Sequence, residues 1–128
     1  MVTMKNLRWL LLFPVLLLSG CGSITMTNLT PSTLPRNPDG NYPIEMVVDS
    51  NQQSLRLDSL QPFVVVGWDF YPMVQTLNMQ NRWETLVPVP ADKNLIHYRF
   101  KLDYEYNDFG KRGQGSQMST EYKLSIKE

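Results

Sequence analysis

The sequence predicts an all-β fold, and three observations support this prediction. Short segments in which apolar and polar residues alternate recur at intervals of about 8–12 residues. Segments rich in Pro, Gly and Asn separate them, and no segment after residue 20 has the 3.6-residue period of an amphipathic helix. About seven strands in a chain of 128 residues favour a β-sandwich. A small closed barrel is the alternative.

The first two predicted strands flank a proline-rich loop. Ile24 and Met26 alternate with polar residues before Thr30. Residues 30–43 contain four prolines and a Pro-Asp-Gly turn signal, which predict a loop. Residues 44–49 then alternate again, so we expect a strand with its apolar side chains facing the core.

The middle of the chain predicts three further strands. Leu55 and Leu57 alternate with charged residues in a short piece. Residues 63–68 are apolar on both faces, which is typical of a central, covered strand. Residues 82–89 form another predicted strand that ends at prolines.

The last two predicted strands have the clearest pattern. Residues 96–107 alternate strictly, which predicts a long strand with one buried and one solvated face. Residues 122–127 repeat the pattern. Four side chains of the long strand are predicted to lie in the core: Tyr98, Phe100, Leu102 and Tyr104.

Residues 68–107 resemble an early-set immunoglobulin-like domain, with the segments WDFYPM, RWETLVPVPADKN and HYRFKLDYEYN in that order. Glycogen- and starch-binding modules of that class carry a similar pattern. The matching positions are Trp83, Glu84, Pro88, Pro90, Tyr98, Arg99, Phe100 and Asp103. The resemblance implies an immunoglobulin-like (early-set) β-sandwich. It also implies carbohydrate binding as an alternative function.

The first 20 residues have the pattern of a signal peptide. Lys5 and Arg8 precede an apolar run of ten residues, from position 9 to position 18, and no acid occurs before Asp39. A membrane-spanning helix needs about 20 apolar residues, so this run is too short. We therefore expect a signal peptide over residues 1–20 and one β-sandwich domain over residues 21–128.

The end of the apolar run resembles the lipobox of bacterial lipoproteins, in the form Leu18-Ser19-Gly20-Cys21. In that family the cysteine is acylated and becomes the first mature residue, so the resemblance implies lipidation of Cys21 and a tether to a membrane. Gly22 follows in place of the Asp that tends to retain such proteins at the inner membrane. The expected location is the outer membrane, on its periplasmic face.

The charge balance argues against nucleic acid as a partner. Without residues 1–20 the chain has ten basic and twelve acidic side chains, and nucleic-acid binders are usually basic. Cys21 is the only cysteine and cannot form an internal disulfide.

No residue pattern predicts catalysis, a metal site or a cofactor. His97 is the only histidine, whereas a zinc site needs three or four ligands. Asp103 and Glu105 fall on the solvated face of the long strand, so the acids there are interpreted as a solvated surface. We expect a protein that is not an enzyme and that uses no cofactor.

The predicted function is therefore binding. Residues 107–119 are predicted to form a long loop, in which Phe109, Lys111 and Arg112 are candidates for contacting another envelope protein. Trp68 and Trp83 are candidates for stacking on a sugar. The chain is predicted to be a lipid-anchored accessory protein of the cell envelope that binds another envelope protein through its loops or an edge strand, with a carbohydrate-binding module as the alternative.

Overall fold

The computed structural model describes residues 23–128, and it is all-β over these residues, with a single 3₁₀ turn at Leu57–Ser59. The predicted signal peptide, the lipobox and Cys21 lie outside the described residues. The strands are β1 Ile24–Asn28, β2 Thr33–Pro35, β3 Asn41–Ser50, β4 Gln61–Val66, β5 Asp69–Pro72, β6 Val74–Gln75, β7 Arg82–Pro88, β8 Leu95–Asp108, β9 Lys111–Met118 and β10 Tyr122–Lys127.

The strands form two sheets that pack into a sandwich, which confirms the predicted fold class and excludes the closed barrel. The smaller sheet has the order β1-β3-β7-β6, and the larger has the order β2-β10-β8-β4-β5 with β9 paired to β8. The smaller sheet corresponds to the A-B-E-D sheet of an immunoglobulin domain, with β1, β3, β7 and β6 as strands A, B, E and D. Strands β4, β8 and β10 of the larger sheet correspond to strands C, F and G. The fold is therefore an immunoglobulin-like sandwich. The early-set subclass stays a prediction.

The core lies between the two sheets, because each strand contributes every second side chain to it. β3 contributes Tyr42, Ile44, Met46 and Val48 from the smaller sheet. The larger sheet contributes Val64, Leu124 and three of the four predicted β8 residues, Tyr98, Phe100 and Leu102, all of them almost fully buried. Tyr104 is only partly buried and packs against the edge of this core.

Strand β8 positions the rest of the larger sheet. Its first half pairs with β10, with Tyr98 opposite Tyr122, and its second half pairs with β9, from Lys101 opposite Met118 to Asp108 opposite Lys111. Its other edge pairs with β4, where Val65 lies opposite Arg99. β8 therefore runs the whole length of the sheet, as its strict alternation predicts.

Three predictions about local structure are wrong. Residues 107–119 do not form a long loop, because Lys111–Met118 is a strand joined to β8 by a two-residue turn. Residues 30–43 contain β2 and the start of β3, since Thr33–Pro35 pairs in parallel with β10. Leu55 makes only one isolated bridge, to Tyr106, and Leu57 begins the 3₁₀ turn.

Candidate functional site

Two tight turns mark opposite ends of the larger sheet. β4 runs antiparallel to β8, so the Gly67–Trp68 turn that joins β4 to β5 lies beside the start of β8. The Phe109–Gly110 turn joins the far end of β8 to β9. Strand register puts about 35 Å between the two turns. Each turn carries a candidate binding residue predicted from the sequence.

The Gly67–Trp68 turn exposes its indole almost completely. Gly67 takes φ +59°, the left-handed conformation that the first position of a type II′ hairpin turn requires. Trp68 is 98% exposed. Its ring is therefore accessible to another molecule, and its role in binding stays a prediction.

An apolar strip follows this turn on the outer face of the larger sheet, the side that points away from the core. The rings of Phe63 and Phe70 lie 6.2 Å apart, and Phe70 is 51% exposed. Lys101 extends over both rings, with its Nζ 5.9 Å from the Phe63 centroid and 5.4 Å from that of Phe70. Met118, opposite Lys101 on β9, is also exposed. The strip is amphipathic, since the Lys101 stem covers apolar surface while its ammonium pairs with the Asp103 carboxylate at 3.2 Å.

A charged group borders the strip. Glu121 accepts from Arg99 and faces His97, with a distance of 3.3 Å for each pair. All three side chains are about half exposed, so the predicted solvated position of His97 is confirmed. We use "outer face" below for the surface formed by Phe63, Phe70, Met118 and this charged border.

The Phe109–Gly110 turn is the second exposed aromatic site. Phe109 has φ +47° and Gly110 has φ +80°, the pair of left-handed residues that defines a type I′ turn. Phe109 is fully exposed, and Lys111 and Arg112 follow it with exposed side chains. The three candidate residues of this segment therefore lie together, at the tip of a hairpin.

The hairpin behind this tip is stiffened by tyrosine rings that lie over glycines. Tyr104 lies opposite Gly115 and Tyr106 opposite Gly113. A Cβ atom at Gly115 would stand 2.6 Å from the Tyr104 ring, and one at Gly113 would overlap the Tyr106 ring. The glycines thus provide space for the rings and do not make this segment a flexible loop.

The Arg112 guanidinium also contributes to a charge cluster beside the hairpin. Arg56 hydrogen-bonds to Asp58 through two contacts of 3.3 and 3.4 Å, and this bond is the main reason why the pKa of Asp58 lies below its usual value. Attraction to Arg112 lowers the same pKa further. Asp58, Asp103 and Glu105 line an open groove of about 760 Å³ here.

Trp83 does not join either turn, so it is not part of a two-tryptophan platform with Trp68. It lies opposite Met46 and packs partly buried against the core. Its indole N–H is buried and has no hydrogen-bond partner within residues 23–128. The sequence could have indicated this position, because Trp83 and the buried Val87 are four residues apart in one strand and therefore point to the same face.

The five candidate binding residues therefore occupy three separate places. Phe109, Lys111 and Arg112 share one turn, Trp68 lies at the opposite end of the same sheet, and Trp83 faces the core. The apolar outer-face residues Phe63, Phe70 and Met118 are not among these five candidates. The apolar pattern on both faces of residues 63–66 was the available signal for Phe63, since it also implies an apolar outer face.

Across residues 23–128, no three His, Cys, Asp or Glu side chains come together in a way that could bind a metal ion. In the same part of the chain, none of the helical structure is long and apolar enough to span a bilayer.

Comparison with solved structures finds similar chains, whereas no protein-family model and no curated protein sequence matches this chain. The solved structure of murine CRIg is similar to this chain with 12% sequence identity and a TM-score of 0.47, over 83% of this chain and 99% of that one. The strand order, and not this likeness, identifies the fold given above.

Proposed function

We propose that this protein is a lipid-anchored, non-catalytic protein of the bacterial cell envelope that binds another envelope protein. The anchor would be Cys21, at the periplasmic face of the outer membrane, because of the lipobox pattern at residues 18–21. Two or more acyl chains anchor a protein stably without a spanning helix. The binding surface would be the outer face together with Trp68.

The observation that supports this surface is its exposed aromatic strip. Phe70 and Met118 leave apolar area in solvent on the outer face, Trp68 is exposed in the turn between β4 and β5, and the Arg99–Glu121 pair borders the strip. Contiguous apolar surface with a charged rim is typical of protein-binding sites. Trp and Arg are also the residue types that carry most binding energy in such sites.

Carbohydrate binding is the second candidate, and the exposure of Trp68 favours it. An indole that is 98% exposed can stack on a sugar ring. Trp83, the other tryptophan predicted to stack on a sugar, packs against the core, however, so it cannot bind a glycan chain together with Trp68. We therefore rank protein binding above sugar binding.

The anchor is tested with Cys21→Ser in the full chain. The variant is expected to lose lipid labelling and to leave the membrane fraction, because no acyl chain can be attached. A variant that keeps its membrane fractionation and its processed size would show that the protein is held in another way.

The binding surface is tested with the double variant Trp68→Ala/Phe70→Ala against the matched control Leu86→Ala. Leu86 is as exposed as Phe70 but lies on the outer side of the smaller sheet. Crosslinking in intact envelopes should give a protein adduct that the double variant loses and the control keeps. Retention of the adduct in both, or loss of glycan binding alone in the double variant, would argue against a protein partner.

A further inference from the structure

The described chain begins at a definite place on the sandwich. The Ser23 N–H donates to Asn51 Oδ1 at 2.7 Å, and the Gln117 side chain donates to the Ile24 carbonyl at 2.8 Å. β1 starts at Ile24, three residues after Cys21. Three residues span at most about 10 Å even when fully extended. A lipid on Cys21 would therefore hold this end of the sandwich within about 10 Å of its attachment point.

The β8–β9 hairpin projects from the same end. Gln117 lies opposite Leu102, and β8 continues from there to Asp108 before the Phe109–Gly110 turn. The distance from Leu102 to Asp108 is about 20 Å along β8. The hairpin tip thus reaches further than the extended tether, so a body held at Cys21 brings the tip to the bilayer surface.

Further exposed apolar side chains lie at this end. Leu57 is 73% exposed, in the 3₁₀ turn that hydrogen-bonds to β8 through the Arg56 N–H and the Glu105 carbonyl. Leu77 is 84% exposed, in the β6–β7 loop, whose residue Asn81 bonds to the end of β3 through the Val48 N–H. Three separate segments of the chain, counting Phe109, present apolar side chains at the end that carries the tether.

The backbone at Phe109 strengthens the case for a function. A bulky residue at φ +47° is strained, and Asn is the usual residue at this position of a type I′ turn. The exposed ring contributes nothing to the core that would offset this strain. Strained residues of this kind cluster at functional sites.

We propose that the tether end of the sandwich rests on the bilayer, with the Phe109 ring inserted between lipid headgroups and Leu57 and Leu77 close to the surface. This inference rests on the lipid anchor of the proposed function. Lys111 and Arg112 follow the inserted ring and supply cationic partners for lipid phosphates. The acyl chains and Phe109 together fix the orientation of the sandwich, and Trp68 then points away from the membrane, toward partners.

The experiment uses the lipidated full-length protein in vesicles of phosphatidylethanolamine and phosphatidylglycerol, with Phe109→Trp as the reporter. Brominated acyl chains quench tryptophan only where the ring enters the bilayer. Relative to the parent protein, the variant should gain a blue-shifted emission component that these lipids quench almost completely. The parent protein is the control: its native Trp68 and Trp83 both lie away from the hairpin tip, so their combined emission should keep its intensity.

Flotation of the same vesicles separates the two proposals. Flotation with quenched emission from the Phe109→Trp reporter and unquenched emission from the native Trp68 and Trp83 of the parent protein supports the inference. Flotation with both emissions unquenched overturns the membrane contact while the lipid anchor stands, and a protein crosslink from position 109 would then assign the tip to a protein partner. Failure to float overturns the anchor and the contact together.

Discussion

The Gly67–Trp68 and Phe109–Gly110 turns each combine a glycine with an aromatic residue, but in opposite order. In the first, glycine takes the left-handed position and Trp68 keeps an ordinary φ angle. In the second, both residues must be left-handed, so Phe109 bears strain that Trp68 does not. Both aromatic rings are almost completely exposed. The two rings are equally exposed, but only Phe109 adds the free-energy cost of a left-handed backbone conformation. Phe109 is therefore the more unusual surface residue.

The surroundings of the two rings differ as well. Trp68 precedes an apolar strip formed by Phe70 and Phe63, so it lies at one end of the proposed binding surface. Phe109 stands alone on a hairpin whose stiffness comes from Tyr104 and Tyr106 packed over glycines. A broad face suits another protein, whereas a single projecting ring suits insertion into a lipid headgroup layer.

The largest expected effect comes from the residue between the two turns. Phe100 is fully buried on the inner side of β8, and its ring packs against Tyr98 and Tyr122 at centroid distances of 5.8 and 5.7 Å. Phe100→Ala should lower the free energy of unfolding by about 3–5 kcal/mol, because it removes buried aromatic area and leaves a cavity. Chemical denaturation measures this value.

Arg99→Ala is the matched control for Phe100→Ala. Arg99 is the preceding residue of β8 but points to the outer face, where its contact with Glu121 is half exposed. Its loss should change the free energy of unfolding by no more than about 0.5 kcal/mol. Equal destabilisation by the two variants would contradict the assignment of inner and outer faces, and with it the position of both turns.

The next effect is confined to the hairpin behind Phe109. Gly115→Ala would place a methyl group 2.6 Å from the Tyr104 ring, and the ring must move to avoid it. We expect a loss of about 1–3 kcal/mol. Hydrogen exchange should show weaker protection in β9 and in the second half of β8, with β4 and β5 unchanged.

The combination Gly115→Ala/Tyr104→Ala tests the cause of that loss. Without the ring the new methyl group has space, so the two substitutions should be non-additive. Additive effects would mean that the glycine has another role in the hairpin.

The strain at the two turns can be compared directly by substituting asparagine at each aromatic position. Phe109→Asn should raise the free energy of unfolding by about 1 kcal/mol, since asparagine tolerates the left-handed conformation better than phenylalanine. Trp68→Asn should leave it almost unchanged, because Trp68 has no left-handed backbone to relieve. Thermal unfolding of both variants measures the difference, and a Phe109→Asn protein that is less stable than the parent would contradict the strain argument.

Most of the fold could be predicted from the sequence, because every second side chain of a strand points to the same face and the apolar set identifies the face that forms the core. The alternation in residues 96–107 located β8 and its buried residues Tyr98, Phe100 and Leu102. The prediction of a loop over residues 107–119 was wrong, because their glycines and polar residues carry no alternation. Only the pairing with β8 reveals that Gly113 and Gly115 complement tyrosine rings.

The candidate site was harder to predict, because a surface depends on which strands become neighbours. Nothing local in the sequence places Met118 opposite Lys101, or Lys101 over Phe63 and Phe70. Trp68 and Trp83 look equivalent as isolated aromatic residues, but Trp68 lies in a turn and Trp83 points to the core side of its strand. The turn itself could have been predicted, since a glycine precedes Trp68 at the end of an apolar run.

The smallest expected effect concerns pH, and it belongs to the Trp68 half of the sheet. Burial raises the pKa of the Tyr98 hydroxyl above its usual value near 10, and the hydrogen bond from Asn28, at 2.8 Å, partly offsets this rise. Between the unfolded and the folded pKa the unfolded chain binds fewer protons, so the stabilising contribution is complete below pH 10 and declines as the pH rises. The slope for one such group cannot exceed about 1.4 kcal/mol per pH unit.

The Tyr98→Phe variant has no hydroxyl to titrate at this position, so it should flatten the alkaline slope of the unfolding free energy. It should also lower the unfolding free energy near pH 8, because the hydrogen bond from Asn28 is lost. An unchanged slope in that variant would show that Tyr98 ionises as easily in the folded protein as in the unfolded chain.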